Sequence, residues 1–259
     1  MIFSYNEYCV KKANGGLRKI CEPNRELKEE QARILEVLNQ YPFPDCVHGF
    51  VPGRDILSNA SRHLAQRYVL NIDIKDFFGS VKLEGFDRIR LALERSGLEV
   101  DEDHLKRCCF WRGCLPQGAP TSPVLANLYV NTLDHVFSSY AMDQGMRWSR
   151  YADDGTFSGP DRLKLYKDDV LDFVDNWLRV FSLERNIKKT KLMPYYQRQM
   201  VTGILVNNEK LSLPRNLKSE LYFYFKNAHM NELTPSELGI LEHVRHVNPG
   251  VWEKICPRS

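Results

Sequence analysis

Three acidic residues stand where acid is hard to accommodate. Asp73 lies at the apolar end of Tyr68-Val-Leu-Asn-Ile-Asp-Ile74, and Asp153 and Asp154 are adjacent between two strand-like runs, Trp148 to Tyr151 and Thr156 to Ser158. A carboxylate embedded among Ile72, Ile74 and Phe77 is costly to desolvate unless a cation or a proton compensates it. A bare Asp-Asp pair at a turn is usually just a solvated turn. What sets this group apart is the third acid, buried in an apolar strand. Three such carboxylates brought together demand cations. Two magnesium ions bridged by carboxylates are an established apparatus for in-line phosphoryl transfer to a hydroxyl, and manganese could stand in for them. One ion would activate the attacking hydroxyl, and the other would hold a triphosphate and its leaving pyrophosphate.

The elements that must position these acids can be read from periodicity. Leu27 to Leu38 is expected to be a helix, with Leu27, Ile34, Leu35 and Leu38 near one face. Tyr68 to Ile74 reads as a buried strand. The stretch from Gly113 to Gly118 forms a tight loop, after which Ser122 is placed to cap a helix and Pro123 to occupy its first turn. Leu125, Leu128, Tyr129, Leu133 and Val136 continue that helix at helical spacing. Asp154-Gly155 is a strong hairpin signal, which puts Asp153 and Asp154 at a hairpin tip. A second long helix carries Val170, Phe173, Val174, Trp177, Leu178 and Phe181 along one face. The chain after Pro214 reads as mainly helical. This order of strands and helices is an α+β plan.

Composition sets outer bounds. The 259 residues, 27% charged and 43% hydrophobic, suit a globular chain with a real core. A net charge of +3 permits a nucleic-acid partner without requiring one. No run approaches the ~18 apolar residues of a membrane span, and the start lacks the order of a signal peptide, so the expectation is a cytoplasmic protein with no membrane partner. Seven scattered cysteines fit reduced thiols better than a disulfide framework. His104, Cys108, Cys109 and Cys114 raise the question of zinc, but no second spaced pair completes a structural site.

Tyr151-Ala-Asp-Asp154 resembles the YxDD signature of reverse transcriptases, and Asn71-Ile-Asp-Ile-Lys-Asp-Phe-Phe78 resembles their first aspartate motif. Leu115-Pro-Gln-Gly-Ala-Pro-Thr-Ser-Pro123 is similar to the loop and helix that cradle nucleotide and template in that family, and Gly16-Leu-Arg-Lys-Ile20 is similar to its fingers motif. His48-Gly-Phe-Val-Pro-Gly-Arg54 occurs across many bacterial members. Asn59-Ala-Ser-Arg-His63 resembles the NAxxH element of retron enzymes, and Val201-Thr-Gly203 their VTG element. Taken without the family, the first would be an exposed amphipathic helix segment and the second a strand end. Two positions depart from the pattern: Gly155 stands where relatives carry a bulky aliphatic residue, and Gly79 where proline is common.

The resemblance implies a right-hand polymerase: fingers over 1–65, a palm with an interleaved fingers segment over 66–206, and a short helical thumb over 207–259. It places the metal ions on Asp73, Ile74, Asp153 and Asp154, and the incoming nucleotide on Arg18, Asp76, Phe77, Phe78 and Gln117. Phe78 would pack beneath its sugar. One of Lys188, Lys189 and Lys191 would protonate pyrophosphate, with Lys191 favoured. Asn59, His63, Val201, Thr202 and Gly203 would serve RNA binding. The implied partners are deoxynucleotides, an RNA/DNA hybrid, a structured noncoding RNA acting as template and primer, and a separate effector protein in phage defence. Other readings are a group II intron or CRISPR-associated reverse transcriptase, a palm-fold nucleotidyl cyclase, and a non-catalytic RNA-binding scaffold. The first should bring an extra domain, the second a GGDEF-like signature, and the third loss of an acid.

Overall fold

The computed structural model describes residues 3–11, 15–215 and 219. In chain order the elements are β1 (Tyr5–Lys11), β2 (Leu17–Pro23), α1 (Arg25–Leu38), α2 (Ile56–Ser61), β3 (Tyr68–Asp73), α3 (Phe77–Ser80), α4 (Asp87–Ser96) and α5 (Glu102–Cys109). They continue with α6 (Ser122–Asp143), β4 (Arg147–Tyr151), β5 (Asp154–Gly159), α7 (Asp161–Leu165), α8 (Lys167–Val180), β6 (Lys191–Pro194), β7 (Met200–Val201) and β8 (Ile204–Leu205). The α+β expectation holds. Of the expected thumb over 207–259 only residues 207–215 and 219 are described, and the helical run expected after Pro214 lies almost entirely outside the described residues.

A four-stranded antiparallel sheet in the order β4-β5-β3-β6 forms the centre. Its strands alternate poorly in hydrophobicity because both faces are covered. On one face lies α6, which buries residues on several of its sides, and Phe137 meets Trp148 of β4 edge-on at 5.2 Å. On the other face α2 and the β7–β8 hairpin close a second apolar cluster of Ala60, Val69, Met193, Val201, Ile204 and Val206. The β1–β2 hairpin stands apart and is mostly exposed, but β2 is tied to the loop before α6 by Cys21 N–H donating to the Gln117 carbonyl at 2.7 Å. No helix among the described residues is long and apolar enough to cross a membrane.

Two local expectations are corrected. Ser122 does not cap α6. Thr121 holds the cap position, and the Ser122 hydroxyl instead donates to the Pro116 carbonyl at 2.7 Å, which fastens the preceding loop to the helix start. The hairpin turn is not Asp154-Gly155. Tyr151 pairs directly with Asp154, so the two turn residues are Ala152, in the left-handed region at φ 56°, and Asp153. Gly155 belongs to β5, where a Cβ would run into the Trp148 ring and Ile72. The space beside Gly155 is filled by the Trp148 ring.

Candidate active site

The antiparallel register of β3 with β5 sets Asp73 directly opposite Asp154. Directly opposed side chains lie on one face of a sheet, about 5 Å apart at Cβ. Asp153, in the turn, is held by its carbonyl, which accepts from Ile74 N–H at 2.8 Å. Three carboxylates are thus carried to one end of the sheet by two strands and a two-residue turn. Asp73 is 4% exposed, whereas Asp154 opens to solvent although protein crowds it on most sides. Burial, then the charges of Asp153 and Asp73, push the Asp154 carboxyl up to about 6. Burial and Asp73 raise Asp153 as well, opposed by Lys189 and Arg18.

The turn is buttressed from behind. Arg150, 2% exposed, makes a two-pronged ion pair with Asp134 of α6 at 2.8 and 2.6 Å. Its remaining nitrogen donates to Asn127 Oδ1 and to the Ala152 carbonyl, each at 2.8 Å. Asn127 Nδ2 in turn donates to the Gly49 carbonyl at 2.8 Å. Gly49 packs so closely that a Cβ would fall on the Ala152 backbone nitrogen. Neither Arg150 nor Gly49 stood out in the sequence as part of the site. The signal available was an arginine inside the strand-like run that leads into the acids.

Of the three candidate lysines, Lys189 reaches the acids. Its Nζ lies 2.5 Å from Asp73 Oδ2, and this contact holds the amine in its protonated form and raises its pKa. Lys191 is exposed and opens β6 opposite Asn71, and Lys188 is also exposed. The loop carrying Lys189 is fixed by Arg185, paired with Asp175 at 2.8 and 2.6 Å, and by Asn186 N–H donating to the Asp73 carbonyl at 2.7 Å.

Asp76 adopts a left-handed conformation at φ 45°, and its carboxylate lies against the Cα of Gly79, where a proline or any other side chain would collide with it. Phe77 is buried in the core. Phe78 is half-buried, 6.4 Å from the exposed ring of Phe50, which also lies 6.3 Å from Tyr151. Phe50 is thus a third aromatic residue at the site, a place that the family-wide stretch His48 to Arg54 does not by itself assign to it. Gln117 sits half-buried in the loop pinned to β2, and Arg18 projects from β2 with its charge reaching Asp153. Asn59, His63 and Val201 are enclosed, at 1%, 0% and 0% exposure. Of the five residues expected to serve RNA, only Thr202 and Gly203 are open to solvent.

The family described as reverse transcriptase (RNA-dependent DNA polymerase) matches residues 10–212. The chain is 33% identical over 249 residues to the retron Ec86 reverse transcriptase of Escherichia coli, covering 94% of this chain and 74% of that protein. It belongs to the retron-type reverse transcriptases. The retron Ec83 enzyme of Escherichia coli is 30% identical over 97% of this chain and 85% of its own, and the retron Mx65 enzyme of Myxococcus xanthus is 33% identical over 98% and 64%. Among solved structures, a foamy viral protease-reverse transcriptase with double-stranded DNA aligns at TM-score 0.58 and 19% identity, over 98% of this chain and 38% of that one. A truncated apo telomerase from Candida tropicalis aligns at 0.56 and 15%, over 82% and 55%. These two likenesses identify the right-hand polymerase fold. The reverse transcriptase is accordingly an RNA-directed DNA polymerase.

Among the described residues of the reverse transcriptase, no three His, Cys, Asp or Glu side chains are grouped so as to hold a metal ion as they stand. The donor set nevertheless fits a divalent cation. Two of the acids are kept from ionising freely by burial and by each other, and the third is compensated by a lysine amine. Hard cations such as magnesium are commonly held this way, by one or two carboxylates completed by substrate phosphates.

Proposed function

We propose that this reverse transcriptase copies a structured noncoding RNA, which is both its template and its primer, into branched RNA-linked single-stranded DNA. Synthesis starts from a guanosine 2′-hydroxyl, in the cytoplasm, as part of anti-phage defence with a separate effector protein. The single observation that carries the catalytic part of this reading is the register that sets Asp73 opposite Asp154, with Asp153 in the turn between β4 and β5. The similarity to retron enzymes supports the RNA partner and the branched product.

In this reading Asp73, Asp153 and Asp154, with the backbone at Ile74, would hold two magnesium ions, which when bound would supply activation of the primer hydroxyl and charge neutralisation at the triphosphate. Arg18 and Gln117 orient the triphosphate and base from the fingers side. Phe78 lies under the sugar. Lys189, rather than Lys191, delivers a proton from Nζ to the departing pyrophosphate, because it is the lysine already at the acids.

Asp154→Asn removes one negative ligand without adding bulk. Extension of an annealed primer on RNA should fall by several orders of magnitude while the fold persists. Near wild-type extension by the purified variant would overturn the metal assignment. Sequencing of copurifying nucleic acid should find RNA joined covalently to DNA, and unlinked DNA alone would remove the branched product from the proposal.

A further inference from the structure

Between β6 and β7 the chain turns through Tyr195-Tyr196-Gln197-Arg198, and both rings point outward, 52% and 70% exposed. Two adjacent exposed tyrosines in a mobile loop would mean little, but this loop is rigidly built. Gln199, fully buried, donates from Nε2 to the carbonyls of Gln66, Arg67 and Met193 at 2.9, 3.3 and 3.1 Å. Asn207 Nδ2 donates to the carbonyls of Tyr195 and Gln197 at 2.9 and 2.6 Å, while its Oδ1 accepts from Gln199 N–H at 2.8 Å. Tyr195 N–H donates to the Arg67 carbonyl at 2.7 Å. Two side chains, Gln199 and Asn207, are thus committed to holding the backbone around two solvent-facing rings.

The rings are set 5.5 Å apart at 80°, and the Arg67 guanidinium lies 4.9 Å over Tyr195 while pairing with Asp161 at 3.0 Å. The rim is polar and basic: Gln197 and Arg198 are both exposed. That is too little apolar surface for a stable protein interface. Aromatic faces beside guanidinium groups on a pre-organised backbone are instead what unpaired nucleotides stack upon, with phosphates answered by the cations. The location also matters. Pro194 pairs with Tyr68, at the opposite end of β3 from Asp73 and about 17 Å from it along the strand.

We propose that Tyr195 and Tyr196, with Arg67 and Arg198, form a stacking platform for unpaired nucleotides of an RNA, outside the catalytic cleft. This rests on the reading that the enzyme works on a structured RNA, because such an RNA carries non-templating segments that need a seat away from the acids.

The test uses the full chain and an oligouridylate of about twelve nucleotides carrying 4-thiouridine, within the span that such sites accept. After irradiation and trypsin digestion, the adduct should map to the peptide Leu192–Arg198, which contains both rings. Adducts found only elsewhere would overturn the platform. Tyr196→Ala and Tyr195→Ala should each weaken binding of the same oligonucleotide about tenfold. Tyr196→Phe should bind as wild type, because stacking needs the ring and not the hydroxyl. Equal losses in Tyr196→Phe and Tyr196→Ala, or none in either alanine variant, would refute the proposal. Extension of a short annealed primer should be unchanged in all three. That assay separates the two readings: a wild type that cannot extend any primer on RNA undermines the polymerase reading, whereas a missing Leu192–Arg198 adduct with extension intact undermines the platform alone.

Discussion

Phe77 and Phe78 are neighbours with different surroundings, although the family resemblance assigns both to the incoming nucleotide. In fact they open the short helix α3, whose turn sends Phe77 into the core and leaves Phe78 half-buried beside Phe50. If Phe78 excludes the ribose hydroxyl, Phe78→Val should raise the ratio of catalytic efficiencies for ribo over deoxy substrates by about tenfold or more, since discrimination reports differential transition-state binding. Phe77→Val should leave that ratio alone and lower stability by about 1–3 kcal/mol, as expected for a truncated core residue. An unchanged ratio in an active Phe78→Val enzyme would place the gate elsewhere. The lysine is a different case. Three lysines within four residues offer no sequence basis for a choice, because the choice depends on a loop folded by the Arg185–Asp175 pair and by Asn186. We expect Lys189→Ala to lower kcat by about 10²- to 10⁴-fold, the usual worth of a positioned proton donor, and to remove the alkaline limb of the pH–rate profile. Lys191→Ala should do neither. The reverse outcome would restore Lys191.

At the scale of the element, the β4–β5 hairpin marks where sequence signals stop. Both strands and the position of the acids were legible from hydrophobic runs, yet the Asp-Gly signal pointed two residues too far along. The local preference of Asp154-Gly155 for a turn is overridden by tertiary demands: Trp148 needs the space above Gly155, and Arg150 fixes the carbonyl of Ala152. Neither contact has a periodic trace in the sequence. A buried charge pair so placed should serve geometry more than stability. Arg150→Met alone leaves Asp134 ionised without a partner and should cost about 3–5 kcal/mol. Adding Asp134→Leu should recover most of that loss. Activity should not return with it, because the tether from Arg150 to the Ala152 carbonyl stays broken. The checks are chemical denaturation and primer extension on the two variants. A double variant with wild-type extension would show that the turn holds its shape without Arg150.

At the scale of the whole molecule, α2 is joined to the palm sheet and to the Thr202 turn by one buried polar chain. Ser149 Oγ donates to Asn59 Oδ1 at 2.6 Å, and His63 Nε2 lies 2.7 Å from the same hydroxyl. The serine has one proton to give, so His63 Nε2 must be the donor there. Nδ1, 2.7 Å from Ser158 Oγ, is then free to accept. That arrangement needs a neutral ring, and burial, with the nearby charges of Arg62 and Arg147, pushes its pKa down to about 3. The folded state thus binds fewer protons than the unfolded chain below pH ~6.5, so the stability contributed by His63 is full above that pH and is lost as pH falls toward 3. Melting temperature should fall with pH in this window, and the slope should be shallower in His63→Gln. An equal slope in both proteins would assign the titration to other groups. The same chain alters how the retron-type elements are to be tested. Asn59 and His63 are enclosed, so His63→Ala should reduce initiation on the cognate RNA and extension of a generic primer alike, as a folding defect does. Thr202 is partly open and is bound to the chain only by long contacts, to Asn59 at 3.5 Å and to the Ile56 carbonyl at 3.2 Å. Thr202→Ala should therefore keep its melting temperature and generic extension while slowing initiation on the cognate RNA several-fold. Equal loss on both templates in a stable Thr202→Ala protein would mean that this turn, like the helix behind it, supports the polymerase and does not meet the RNA.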